Sequence, residues 1–204
     1  ISLTGLSADD NYVLDMDGKV ADITGSPFTN PDLLNPGTHS MVIYNRAEGF
    51  TFDGRMARVN APDGKSRADG ASVIPLPGYL KTVSQEITVT ADDTLRVNPV
   101  PQQRVRDLQL ELEVTQGRPE LIQSVTATLS GIAGVFDMEK GQTIGEPTST
   151  VFSFTRDGSK LTADARLLGT MGAVQTLVLD IVFTDGGRTQ RTEVDLTEAL
   201  ADFN

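Results

Sequence analysis

The chain has 204 residues, long for one domain and comfortable for two of roughly 100 each. Its 28 acidic and 17 basic residues give a formal net charge of −11, spread over both halves. Such a balance repels phosphate backbones and anionic bilayers, and the absence of cysteine excludes disulfides, thiolate metal sites and cysteine nucleophiles.

The first residue is Ile1, with neither a methionine nor an apolar signal core before the first turn. That is expected of a processed form or of a chain lacking its leader. Nowhere does an apolar run approach the roughly 18 residues that a membrane span needs. "DNYVLDMDGKVADITG" (10–25) predicts a hairpin folded at Asp17-Gly18, a dipeptide that accepts the positive φ of a tight turn. "GTHSMVIYN" (37–45) predicts a strand entered through a Pro36-Gly37 turn. The stretch 53–78 is rich in Gly, Pro, Asp and Ala and reads as a long excursion with one short strand or turn of helix. "EITVTADDTLRV" (86–97) closes the first half.

"NPVPQQ" carries Pro99 and Pro101, which remove ladder donors and stiffen a linker. Strict alternation follows in "RVRDLQLELEVTQG" (104–117). Leu108, Leu110, Leu112 and Val114 fall on one face; Gln109, Glu111, Glu113 and Thr115 fall on the other. A strand of this kind needs a second apolar layer, so a second domain is expected to open here. "VTATLSGIAG" (125–134), "TVFSFT" (150–155) and "LTADARLLG" (161–169) predict further strands, rich in β-branched and aromatic residues. "TLVLDIVF" puts Leu177, Leu179, Ile181 and Phe183 on one face and Val178 and Val182 on the other, as in a central strand covered from both sides. Hairpin turns are expected at Asp157-Gly158 and Asp185-Gly186. Only "DLTEALADFN" predicts helix, a short turn with Asp195 and Glu198 at capping-box spacing. The reading is all-β, two β-sandwich domains in tandem over 1–98 and 99–204. Leu108, Leu110, Leu112, Leu177, Leu179, Ile181 and Phe183 share the second core.

Each candidate motif also has a plain structural reading. "DMDG" (15–18) has a calcium-loop look, but with Asp15 and Asp17 at positions three and five, Val13 and Thr24 fall where carboxylates are required. A hairpin turn is the better reading. "DGKS" (63–66) has Val59 where a phosphate loop needs glycine, and "RADG" (67–70) is not an arginine-glycine-aspartate sequence. His39, the only histidine, sits in an alternating strand between Thr38 and Ser40, the placement of a structural histidine, not of a catalytic one. Glu111 and Glu113 share the outward face of one strand, as solvated carboxylates do. Tyr12, Tyr44 and Tyr79 are the available platforms for stacking a sugar. No catalytic, cofactor-binding or metal-binding residues are assigned, no cofactor is expected, and the protein is read as no enzyme.

The order "RVRDLQLELEV", "IQSVTATLSGIAGVFDMEKGQ", "TVFSFTRDGSKLTADARLLG" and "LVLDIVFTDGGRTQRTEVDLTEALADFN", with "NPGTHSMVIYN" earlier, resembles the fimbrillin-associated anchor families of Bacteroidales. That resemblance implies two transthyretin-like sandwiches on a surface lipoprotein, tethered to the outer membrane through a lipidated N-terminal cysteine that these residues do not contain. It implies a fimbrial anchor or accessory subunit active in fimbria assembly and cell adhesion. Partners would be other fimbrial subunits, joined by strand addition, with no nucleic acid and with the membrane reached only through the lipid. The alternative is a surface glycan-binding module of a polysaccharide-uptake system. Two outcomes are open for "ISLTGL": it pairs within its own half, or a trimmed strand leaves a groove there.

Overall fold

The computed structural model describes residues 1–7, 10–64, 71–91 and 93–204, and the chain is all-β. Its first half forms β1 (Ser2–Leu3), β2 (Tyr12–Met16), β3 (Lys19–Asp22), β4 (Phe28–Thr29), β5 (Gly37–Asn45), β6 (Phe50–Asp53), β7 (Met56–Val59), β8 (Lys81–Val89) and β9 (Arg96–Val97). Its second half forms β10 (Gln102–Gln103), β11 (Arg106–Glu113), β12 (Ile122–Ile132), β13 (Val135–Asp137), β14 (Gln142–Ile144), β15 (Thr148–Asp157), β16 (Lys160–Leu167), β17 (Thr176–Phe183) and β18 (Thr189–Asp195). Among the described residues no helix is long and apolar enough to cross a membrane.

These strands build four sheets, ordered β4-β1-β9, β10-β8-β5-β2-β3, β11-β16-β15-β12-β17-β18 and β14-β13-β7-β6. Period two sorts the five-stranded sheet into two faces. Leu14, Met16, Met41 and Ile43 form a small core with Leu3, Leu6 and Ile87. Val13, Val42 and Tyr44 point the other way and join a larger core with Ala57, Val59, Phe136, Leu129 and Leu177. With apolar packing on both faces, all five residues of "YVLDM" are buried. Burying one Leu or Phe side chain there contributes about 1.5–3 kcal/mol.

The two halves interlock. β7 pairs with β13, matching Ala57 to Phe136. Val73 makes a parallel bridge to Thr150, whose hydroxyl donates to the Val73 carbonyl at 3.0 Å. Strand β12 bulges between Ser130 and Ile132, and the chain then crosses from the six-stranded sheet to β13 of the four-stranded one.

Much of the strand pattern is as expected. β5 and β17 match the predicted segments residue for residue, and the first hairpin turns at Asp17-Gly18, both with positive φ. Leu177 and Leu179 are buried in the large core; Leu108, Leu110, Leu112, Ile181 and Phe183 pack against it. Other expectations are corrected. "NPVPQQ" is not wholly a linker, since Gln102 and Gln103 pair with Thr82 and Lys81. The strand expected over 86–97 is split into β8, which starts at Lys81, and the short β9. At the C-terminus, Asp195 Oδ1 accepts from the Thr197 amide at 2.8 Å, an Asx turn instead of a capping box. One helix-type bond follows, from the Leu200 amide to the Leu196 carbonyl, and the segment stays a turn. Of the two outcomes open for "ISLTGL", the first is observed: Ser2 and Leu3 pair within their own half, with β1 between β4 and β9.

Candidate functional surfaces

Where the halves meet, a polar cluster is organised by Arg55, in the Gly54-Arg55 turn between β6 and β7. Its guanidinium donates to Asp15 Oδ1 through Nε at 3.1 Å and Nη2 at 2.8 Å. Nη1 donates to Ser40 Oγ and to Glu139 Oε1, each at 2.6 Å. Asp15 is 2% exposed and also accepts the Gly18 amide at 2.9 Å. One arginine thus satisfies a buried carboxylate of β2 while joining β5 and the β13–β14 turn. Bonding to Asp15 raises the Arg55 pKa further above its ordinary value. The "DMDG" carboxylate is therefore committed to the protein's own donors. Among the described residues no group of three or more His, Cys, Asp or Glu side chains could hold a metal ion.

His39 lies beside this cluster. Its Nδ1 is 2.6 Å from Asp17 Oδ2, and its Nε2 is 2.8 Å from the Asn35 carbonyl. A carbonyl and a carboxylate both accept, so this arrangement suits the protonated imidazole, which donates from both ring nitrogens. The bond to Asp17 raises the His39 pKa above 6.5, and the same bond lowers that of Asp17 below 3.8. The pair fastens the β2–β3 turn to β5, with both nitrogens occupied.

The remaining candidates have structural partners. Glu111 Oε1 accepts from Lys160 across the β11–β16 pair at 2.9 Å, and Glu111 and Glu113 are exposed on the outer face. Tyr12 and Tyr44 are buried, and burial, with Asp10 adding to it, pushes the Tyr12 hydroxyl up to about 12. Tyr44 stacks on Phe52 at 4.9 Å. Tyr79 donates to Asp107, and the Arg166 guanidinium covers its ring at 4.4 Å. Tyr12 and Tyr44 offer no open face to a sugar, whereas Tyr79 is half-buried with Arg166 over its ring. In "DGKS", Asp63 and Gly64 lie in a turn; Lys65, Ser66 and all of "RADG" fall outside the described residues.

Sheet edges and grooves complete the surface. The long edges β11 and β18 carry charges along their length, including Asp107, Glu111, Arg191 and Glu193, which discourage edge-to-edge pairing. A groove of about 530 Å³ opens beside β1, lined by Ile1, Leu33, Leu34, Val89 and Leu95 among others. Leu33 is fully exposed there. The one local hint of the Arg55 cluster is Asp15, a carboxylate in an otherwise apolar strand.

No family model and no curated protein matches this sequence. Solved structures do match. The chain is similar to a protein of Bacteroides ovatus described as a "putative adhesin", with TM-score 0.77 and 17% identity, over 99% of this chain and 84% of that one. It is similar to the fimbrial anchor protein Mfa2 of Porphyromonas gingivalis, with TM-score 0.58 and 14% identity, over 97% of this chain and 78% of the other. A second Bacteroides ovatus protein described in the same words gives TM-score 0.61 and 11% identity, over 94% and 70%. These neighbours share the all-β fold of this chain and are adhesin-like and fimbrial-anchor proteins, as the resemblance leads one to expect.

Proposed function

We propose that the chain is a non-enzymatic cell-surface subunit, a fimbrial anchor or accessory protein that serves fimbria assembly and adhesion. The observation that carries this is the match of nearly the whole chain to a Bacteroides ovatus adhesin-like structure, with the Mfa2 anchor as a second whole-chain neighbour. Outer-membrane attachment through a lipid on a residue before Ile1 belongs to the same proposal. So does the division into sandwich units at 98/99.

Partner subunits are proposed to add a strand at the groove beside β1, where apolar side chains, with Asp32 and Asp93, stand next to the short edge strands β4 and β9. Co-sedimentation with purified fimbrial subunits from the same bacterium tests this. The intact chain should pellet with the polymer, and Leu33→Asp, at a fully exposed position, should weaken the association about tenfold without altering the fold. Equal association of both proteins would move the partner site elsewhere. No association at all would overturn the fimbrial role.

A further inference from the structure

Between the start of the second half and the β13–β14 hairpin lies a cleft of about 290 Å³ holding two arginines. Arg104 Nε donates to Thr82 Oγ1 at 2.9 Å, and its guanidinium lies 5.3 Å from the centre of the Phe136 ring. Its two Nη groups have no hydrogen-bond partner among the described residues. Arg106 donates from Nη1 to the Phe203 carbonyl. Neither arginine has a carboxylate partner, and no acidic side chain lines the cleft among the described residues. Arg46, Arg55, Arg118, Arg166, Arg188 and Arg191 each pair with an acid, and among the described residues Arg96 and Arg156, which show no such pair, are exposed, whereas Arg104 is half-buried.

In a chain of net charge −11, acids are plentiful, so a half-buried guanidinium without one is a cost left standing. Burial lowers the Arg104 pKa from its ordinary value, and no neighbouring carboxylate opposes that shift. The guanidinium fork matches a planar carboxylate, bonding it through two parallel N–H groups. Phe136 and Leu168 give the cleft an apolar floor, and half-buried Phe203 gives it an apolar rim.

We propose that this cleft binds an acidic side chain, flanked by an apolar residue, from an extended segment of a partner protein. The carboxylate sits on Arg104 and Arg106, and the apolar neighbour lies against Phe203. A sugar acid fits less well, because Phe136 is 4% exposed and offers no open ring face for stacking. A phosphate dianion meets more repulsion from the surrounding negative charge than a carboxylate monoanion does. This goes beyond the surface role proposed above and is tested on the purified chain, so the two can fail separately.

Titration of the 204-residue chain with N-acetyl-Leu-Glu-amide, followed by NMR or calorimetry, is the test. The peptide should bind in a salt-dependent manner, and its Leu-Gln counterpart about tenfold more weakly. Arg104→Gln should lower affinity about tenfold, and Arg104→Lys should restore part of it, keeping the charge but not the fork. Arg106→Gln, at an exposed side chain, should lower affinity while leaving the melting curve unchanged; it decides the matter if Arg104→Gln fails to fold. Equal binding of the Glu and Gln peptides, no binding at millimolar peptide, or unchanged affinity in the folded variants would overturn the proposal. So would tighter binding of glucuronate or phosphate than of the glutamyl peptide.

Discussion

At the scale of single residues, Arg55 and His39 do the joining. Asp15 is a buried carboxylate whose charge is met mainly by Arg55. Arg55→Met leaves that charge uncompensated and should cost about 3–5 kcal/mol, read as a lowered urea midpoint. An unchanged midpoint would show that water or another donor replaces the guanidinium. The His39–Asp17 pair gives a pH signature. His39 has its pKa raised above 6.5, so its contribution is complete below that pH and is lost as pH rises through the folded value. Asp17 has its pKa lowered below 3.8, so its contribution is present above that pH and is lost as pH falls through the folded value. The pair therefore stabilises most between about pH 4 and 6.5. His39→Asn should flatten the fall in melting temperature on the alkaline side of that window. A variant with the same slope as the parent would rule this out.

At the scale of elements, two glycines separate turn chemistry from packing. Gly18 has φ +84 with open space where a Cβ would stand, so Gly18→Ala should cost only about 1 kcal/mol of backbone strain. Gly131 has φ +75, and a Cβ there would meet the Val174 carbonyl oxygen at 2.1 Å. Gly131→Ala should cost roughly 3 kcal/mol or more, because it distorts the bulge that passes the chain between two sheets. Thermal melts of both variants check the ranking; the reverse order would contradict the bulge's role.

Strands were legible where apolar, β-branched runs lay between turn signals. β5 and β17 stand out because each carries apolar residues on both faces over eight or nine residues. The start of β8 was hidden because "KTVSQ" is largely polar, although Thr82 is fully buried. β6 and β7 are four residues each, too short for periodicity to separate them from loop. The Arg55–Asp15 contact spans 40 residues, and nothing local announces such a pair. The Arg104 cleft was invisible for the same reason, since Phe136, Leu168 and Phe203 reach it from distant elements.

At the scale of the whole molecule, the halves share structure. β6 and β7 of the first half extend the sheet of β13 and β14, and Val73 reaches into the six-stranded sheet at Thr150. The proposed division at 98/99 therefore marks where the chain passes from one unit to the next, with the units expected to unfold together. Urea titration of the full chain should show one transition by both fluorescence and circular dichroism. Two separated transitions would show that the units are independent.

Placement at the cell surface is open to a direct test by labelling intact cells. A membrane-impermeant amine reagent applied to the native bacterium should modify exposed lysines such as Lys19 and Lys140, whose side chains are 77% and 67% accessible. Labelling on intact cells should equal that after lysis, with the protein recovered in the outer-membrane fraction. Labelling that appears only after lysis would contradict it.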